Sequence, residues 1–275
     1  MSPDLVFGLL SALANAVGGI LSRDLAVRLP ARQLIGPLFA LNALVVAPLA
    51  LFIEWHITPH IVLLHAISVL LLIATALAVW DLFAHGAASA TVTAQSISPL
   101  PAALAVAVLL PGALDPLHVV AAVIVVLGVL GALSRAFGAL SRRRTLVTVL
   151  VAAIGTGLVT VMGRLLADEG AGVFEIYLVR TAFAAVIFLA LVPPRDIPPR
   201  QVPRLALRAV FITLHFLLIL VGVREGSPAV VQTAVATAPL FVIAYESARL
   251  RSLPPVRAAA AALIAIVGVA ILLLR

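Results

Sequence analysis

The apolar positions of this chain fall into long runs, separated by short clusters of charged, proline and glycine residues. The runs lie near 5–22, 34–53, 61–83, 88–110, 117–133, 146–166, 173–192, 205–223, 227–247 and 257–274. Each approaches the roughly 20 residues that a helix needs to cross the hydrocarbon of a bilayer. The pattern predicts an all-α integral membrane protein of ten transmembrane helices. The third and fourth runs are divided only by Ala84-His85-Gly86-Ala87.

Part of the pattern occurs twice. Gly86 to Leu133 lies against Gly226 to Leu273 at a shift of 140, keeping Gly86/Gly226, Thr93/Thr233, Ala94/Ala234, Pro99/Pro239, Leu100/Leu240, Gly128/Gly268 and Val129/Val269 in step. Each copy is an apolar segment with an internal proline, a short break, and a second apolar segment with Gly-Val 29 residues after that proline. Ala- and Leu-rich sequences match by chance, so the shared Pro and Gly positions carry the comparison. Leu9 to Ala26 also aligns with Leu150 to Ala167 at a shift of 141, pairing Arg23 with Arg164. The chain is thus expected as a first five-helix repeat (1–133), an Arg-rich linker (134–145) and a second repeat (146–275). With an odd number of spans per repeat, the second must enter the membrane the other way up, giving inverted repeats.

Composition narrows the class further. Hydrophobic residues are 64% and charged residues 11% of the chain, far from a soluble domain's roughly half apolar and quarter charged usage. Ten spans leave no room for a separate soluble domain. Met1 to Asp4 holds no basic residue, so Leu5 to Ser22 is expected as a retained first span and not a cleaved signal. Cysteine is absent, which removes disulfides, thiol chemistry and Cys-ligated metals. The net charge of +7 does not point to nucleic acid, because the arginines sit in loops and form no basic face. Of the 18 arginines, 14 fall in connections after odd-numbered spans, Arg195, Arg200, Arg204 and Arg208 among them. Short cytoplasmic loops carry the Arg excess, so both termini are expected outside the cell membrane, the inner membrane of a bacterium. Arg142-Arg143-Arg144 most simply meets anionic lipid headgroups.

With Pro99 to Gly128-Val129, Pro239 to Gly268-Val269, and Arg180 within LVRTAFAA, the chain resembles the drug/metabolite transporter superfamily, specifically its ten-helix EamA-type members. The resemblance implies two five-helix bundles around a central cavity, alternating access, and export of small metabolites or drugs. Two features depart from it. The Gly-Glu-Arg-like patch usual at the ends of spans four and nine is replaced by Pro111-Gly112-Ala113 and Arg251-Ser252-Leu253, so nothing carries over from that motif. The family's termini are expected in the cytoplasm, against the Arg distribution.

Polar residues inside spans are costly and should face a cavity or a partner. Thr91, Gln95 and Ser98 form one stripe on span four, and Gln232, Thr233 and Thr237 its match on span nine. In an inverted pair these stripes can meet near the midplane, where they would bind substrate or merely join helices. Asn15 and its repeat counterpart Thr156 are further cavity candidates, as is Trp80. Pro99, Pro101 and Pro239 free carbonyls one turn back and read chiefly as structural kinks, with hinge use secondary. His215, deep in span eight, is a candidate for both substrate binding and proton coupling. Asp81 and Glu246 are the other coupling candidates. Arg180 lies roughly 10 Å into its span by helical rise. It is expected to snorkel or to pair with Glu175 or another carboxylate, a structural role outweighing substrate contact.

His56, His60 and His65 do not read as a metal site, because Thr58-Pro59 disfavours the helix their spacing would need. No cofactor is implied, and no Ser-Lys pair, phosphate-cradling loop or carboxylate cluster supports an enzyme. The function expected is secondary transport of a small amino-acid-like or drug-like metabolite, in contact with membrane lipids, by a monomer or homodimer, with exchange against protons as what the resemblance implies. Its rivals are a lipid or lipid-linked sugar translocase on the same fold, and an accessory subunit without a transport cycle.

Overall fold

Seven of the eleven α-helices among the described residues carry proline at their first or second position. There the missing N–H is not required and the fixed φ suits the helix. A computed structural model describes residues 2–26, 29, 31–84, 96–110, 115–132, 143–194, 197–251 and 256–272. In chain order they form α1 (Pro3–Ala26), α2 (Ala31–Val46), α3 (Pro59–Ala84), α4 (Pro99–Leu109) and α5 (Pro116–Ala132). The second half supplies α6 (Arg143–Asp168), α7 (Val173–Leu191), α8 (Val202–Glu225), α9 (Pro228–Val235), α10 (Ala238–Leu250) and α11 (Val256–Ile271). No strand occurs among the described residues.

Seven stretches are long and apolar enough to cross a membrane, the seventh running through α9 and α10, and α4, α5 and α11 are shorter apolar helices. This is a multi-pass membrane protein. The ten predicted runs each contain a helix, although the fourth is described only from Ser96 onward. On α3, Leu63, Leu70 and Leu77 point outward at seven-residue spacing, while Leu72, Thr75 and Ala76 point inward. Such a division suits a helix with lipid on one side and protein on the other.

The most extensive packing joins the two halves of the sequence. Helix α1 runs along α8, α3 along α6, α2 along α7 and α5 along α11, and α1 and α4 also pack on α9 and α6 respectively. The α5–α11 contact explains the repeated glycines. A Cβ at Gly128 would stand 2.5 Å from the Ala265 backbone nitrogen and 2.9 Å from the Ala261 carbonyl oxygen. A Cβ at Gly268 would stand 2.9 Å from the Val125 nitrogen and 3.0 Å from the Ala121 oxygen. Each glycine meets the positions 140 residues from those its counterpart meets, so the two helices share one reciprocal backbone contact. Small residues allow such close approach between membrane helices.

Polar contacts at the helix ends show which ends lie together. The Asp4 carboxylate, at the start of α1, accepts the Ser227 N–H at 3.1 Å ahead of α9. Arg164, near the end of α6, donates from Nη1 to the carbonyls of Val223, Arg224 and Gly226 at 2.9–3.1 Å. Its Nε meets Asp168 at 2.8–3.0 Å. The carbonyls that α8 leaves unpaired at its C-terminus are thereby satisfied. On the opposite side, Arg144 at the start of α6 pairs with Asp81 near the end of α3 at 2.8 Å. We predict that Arg164→Ala costs about 1–2 kcal/mol through these lost charge-assisted bonds. A thermal unfolding midpoint in detergent equal to that of the unsubstituted protein would overturn the prediction.

Candidate functional site

The ninth span is broken where the sequence demands it. Proline has no N–H, so Pro239 cannot donate to the carbonyl of Val235, and α9 ends at that residue. The two-residue break is held by Thr237, whose N–H and hydroxyl both reach the Ala234 carbonyl, at 3.1 and 2.6 Å. In the matched fourth span the helix is interrupted by a turn at Ser98, immediately before Pro99. Interrupted helices are tolerated inside a membrane where they are buried in protein or line a cavity.

A cavity of about 150 Å³ lies beside both breaks, lined by Ser98 at the turn before α4 and by Gln232 and Val235 of α9. Asn15 of α1, Asn42 of α2, Thr75 and Trp80 of α3, and Thr156 and Thr160 of α6 contribute to its walls. Arg180 of α7 and Arg208 and His215 of α8 complete the polar lining. Leu38, Phe39, Leu72, Val159, Ile212 and Phe216 are among its apolar lining. A mostly apolar chamber with a few convergent polar groups is the usual form of a small-molecule site.

The polar side chains form two groups. Gln232, fully buried, accepts from the Ser98 hydroxyl at 3.1 Å and donates through Nε2 to the Thr160 hydroxyl. Thr160 donates in turn to the Thr156 carbonyl at 3.1 Å. The stripes of spans four and nine therefore meet through Ser98 and Gln232, residues 134 apart in the chain. In the second group, His215 Nδ1 lies 2.7 Å from the Ser11 hydroxyl and 3.1 Å from the Ser11 carbonyl. The Ser11 hydroxyl also reaches the His215 carbonyl, at 3.0 Å. Ser11 has one proton, and giving it to that carbonyl leaves Nδ1–H as the donor that satisfies every partner. This tautomer keeps the Nε2 lone pair free. Near the other end of α8, Arg208 donates from Nε to Ser22 at 2.8 Å and its guanidinium carbon lies 5.9 Å from the centre of the Trp80 ring. That placement is a cation–π contact.

Of the residues singled out in the sequence, Asn15, Trp80, Thr156, His215 and Gln232 line this cavity. Thr233 does not, and its hydroxyl donates to the Ala229 carbonyl within α9 at 2.7 Å. Adjacent helical residues point about 100° apart, so Gln232 and Thr233 cannot share one direction. Asp81 lies outside the lining, bound to Arg144 and Thr148. Thr91, Gln95 and the Glu246 side chain lie outside the described residues.

Two arginine expectations are corrected. Arg208 is not a loop charge, because α8 begins at Val202 and carries it to the cavity wall. Arg180 makes no ion pair with Glu175, whose oxygens accept the Gly172 and His56 N–H groups at 3.1 and 3.3 Å. Asn42, Thr75 and Thr160 were not singled out, although a lone polar residue in an apolar run was the available signal for each.

Residues 143–274 match the model of the EamA-like transporter family. A solved crystal structure of a protein 18% identical to this chain superposes with a TM-score of 0.77, covering 98% of this chain and 96% of that one. At that identity the likeness speaks for the fold alone. No curated protein matches the sequence.

Proposed function

We propose, starting from the EamA-like match of the second half, that this chain is a secondary transporter. It moves a small metabolite, amino-acid-like or drug-like, through the central cavity by alternating access. The carrying observation is the cavity itself, which sits at two interrupted helices and draws its lining from both sequence halves. Transporter sites characteristically lie at such discontinuous helices between repeats. The ten-helix inverted architecture is part of the proposal. In its favour, α1 begins where α6 ends, since Asp4 and Arg164 converge on the α8–α9 corner. The reciprocal contacts of Gly128 and Gly268 support the same reading. Outward movement rests on the family resemblance, and proton coupling on His215, whose Nε2 is free within the lining.

The test is uptake and efflux by the purified protein in lipid vesicles, using a metabolite panel with and without an imposed pH gradient. Flux above that of protein-free vesicles is expected for at least one solute. Absence of such flux for the whole panel would remove the transporter reading. His215→Ala is expected to abolish the response to the gradient, whereas Asp81→Asn, outside the cavity, is expected to retain it. A gradient response unchanged in His215→Ala would end the coupling proposal.

A further inference from the structure

Arg180 is 4% exposed and lines the cavity, and its Nε and Nη2 have no hydrogen-bond partner. Its guanidinium passes Gly163 of α6, where a Cβ would stand 3.7 Å from both terminal nitrogens. Glu175, the carboxylate expected to neutralise it, is engaged elsewhere. Arg208 adds a second cation to the same lining, and among the described residues no aspartate or glutamate is part of it. Asn42, 3% exposed and also part of the lining, has an amide oxygen without a partner. An amide can turn to present either its oxygen or its NH₂ group, so Asn42 can offer a donor to a solute in the cavity. Buried charges are ordinarily paired, and a buried unpaired cation is a strong demand for a counter-charge.

We propose that the transported solute is a small organic anion whose carboxylate or phosphate is received by Arg180, with Asn42 as a second donor. This assignment rests on the transporter reading and names the substrate class of the same cavity. The planar guanidinium fork matches either oxyanion, and the apolar walls formed by Leu38, Phe39 and Ile212 take the uncharged remainder. Arg208, held by Ser22 and the Trp80 ring, keeps the chamber electropositive without needing to touch the solute.

The experiment measures thermal unfolding and equilibrium binding of the full chain in detergent, in chloride-free buffer. The probes are glutamate, glutarate and glycerol 3-phosphate, set against glutamine and glycerol as uncharged counterparts. At least one anion is expected to raise the midpoint while its uncharged counterpart does not. In Arg180→Gln that stabilisation is expected to disappear, with Kd at least tenfold weaker. The ligand-free midpoint of Arg180→Gln should be unchanged or higher, because an unpartnered buried charge has been removed. Arg180→Lys separates the two anions, since an ammonium retains phosphate as a point charge but loses the bidentate match to carboxylate.

The inference is overturned if Arg180→Gln lowers the ligand-free midpoint and leaves anion binding intact. It is also overturned if none of the anions binds, or if chloride alone stabilises as much as the organic anions. Vesicle flux separates this failure from that of the transporter reading. Flux of neutral or cationic solutes alone defeats the anion assignment and leaves transport standing. Arg180-dependent anion binding without flux of any solute keeps the site and removes transport.

Discussion

Gly128→Ala is expected to destabilise the protein by about 1–3 kcal/mol, and Gly268→Ala by a similar amount, the range typical of overpacking. At Gly128 the added methyl would meet only backbone, the Ala265 nitrogen first at 2.5 Å, and at Gly268 it would meet Val125 Cγ2 at 2.7 Å and the Val125 and Ala121 backbone at 2.9 and 3.0 Å. A backbone atom in a helix cannot swing away, so α5 and α11 must separate along their length. The control is Gly19→Ala in α1, where a Cβ would find nothing within 4 Å and where alanine favours the helix. Thermal unfolding in detergent should order the three variants with Gly19→Ala at or above the unsubstituted protein and the other two well below it. Equal midpoints for all three would show that the α5–α11 contact is not as close as described.

Gln232→Leu is expected to reduce transport at least tenfold. It removes the polar side chain that bridges the two interrupted spans and lines the cavity. Its effect on stability should be smaller. Interhelical hydrogen bonds within membranes are worth about 0.6 kcal/mol on average, so losing two costs about 1 kcal/mol. Helix joining and solute contact are separable by a comparison. Thr160→Val and Ser98→Ala remove Gln232's partners while leaving its amide in place. If those two together reproduce the transport loss of Gln232→Leu, the glutamine acts only as a joint between helices. Transport falling much further in Gln232→Leu than in the pair places its amide against the solute.

The repeated Pro and Gly positions were legible because each has a backbone cause. Pro239 ends α9 at Val235, and Gly128 and Gly268 permit a contact that no other residue allows. Long apolar runs are similarly explicit about membrane crossing. The cavity was only half legible, because its walls depend on helix rotation, which sequence repeats leave free. Thr233 illustrates this, since one step from Gln232 turns its hydroxyl back onto Ala229. Arg208 was misplaced for a different reason. It closes a series of arginines spaced through the preceding connection, and composition cannot show that α8 has begun by Val202. Of the alternatives the sequence left for Arg180, pairing with Glu175 is removed, because that carboxylate is spent on the N-terminal turn of its own helix and on His56.

The interleaved packing also bears on what can move. On the transporter reading proposed above, two sequence halves built as separate lobes would be expected to part from each other as whole halves. Instead α1 is bound along α8 and α9, while α3 and α4 are bound along α6, so each packed group is woven from both halves. The Ser98–Gln232 bridge joins one mixed group to the other, so on the alternating-access reading proposed above it is a contact that opening is expected to break. Order along the sequence and order of packing differ in this protein, so the contacts that hold it together do not follow the division between its sequence halves.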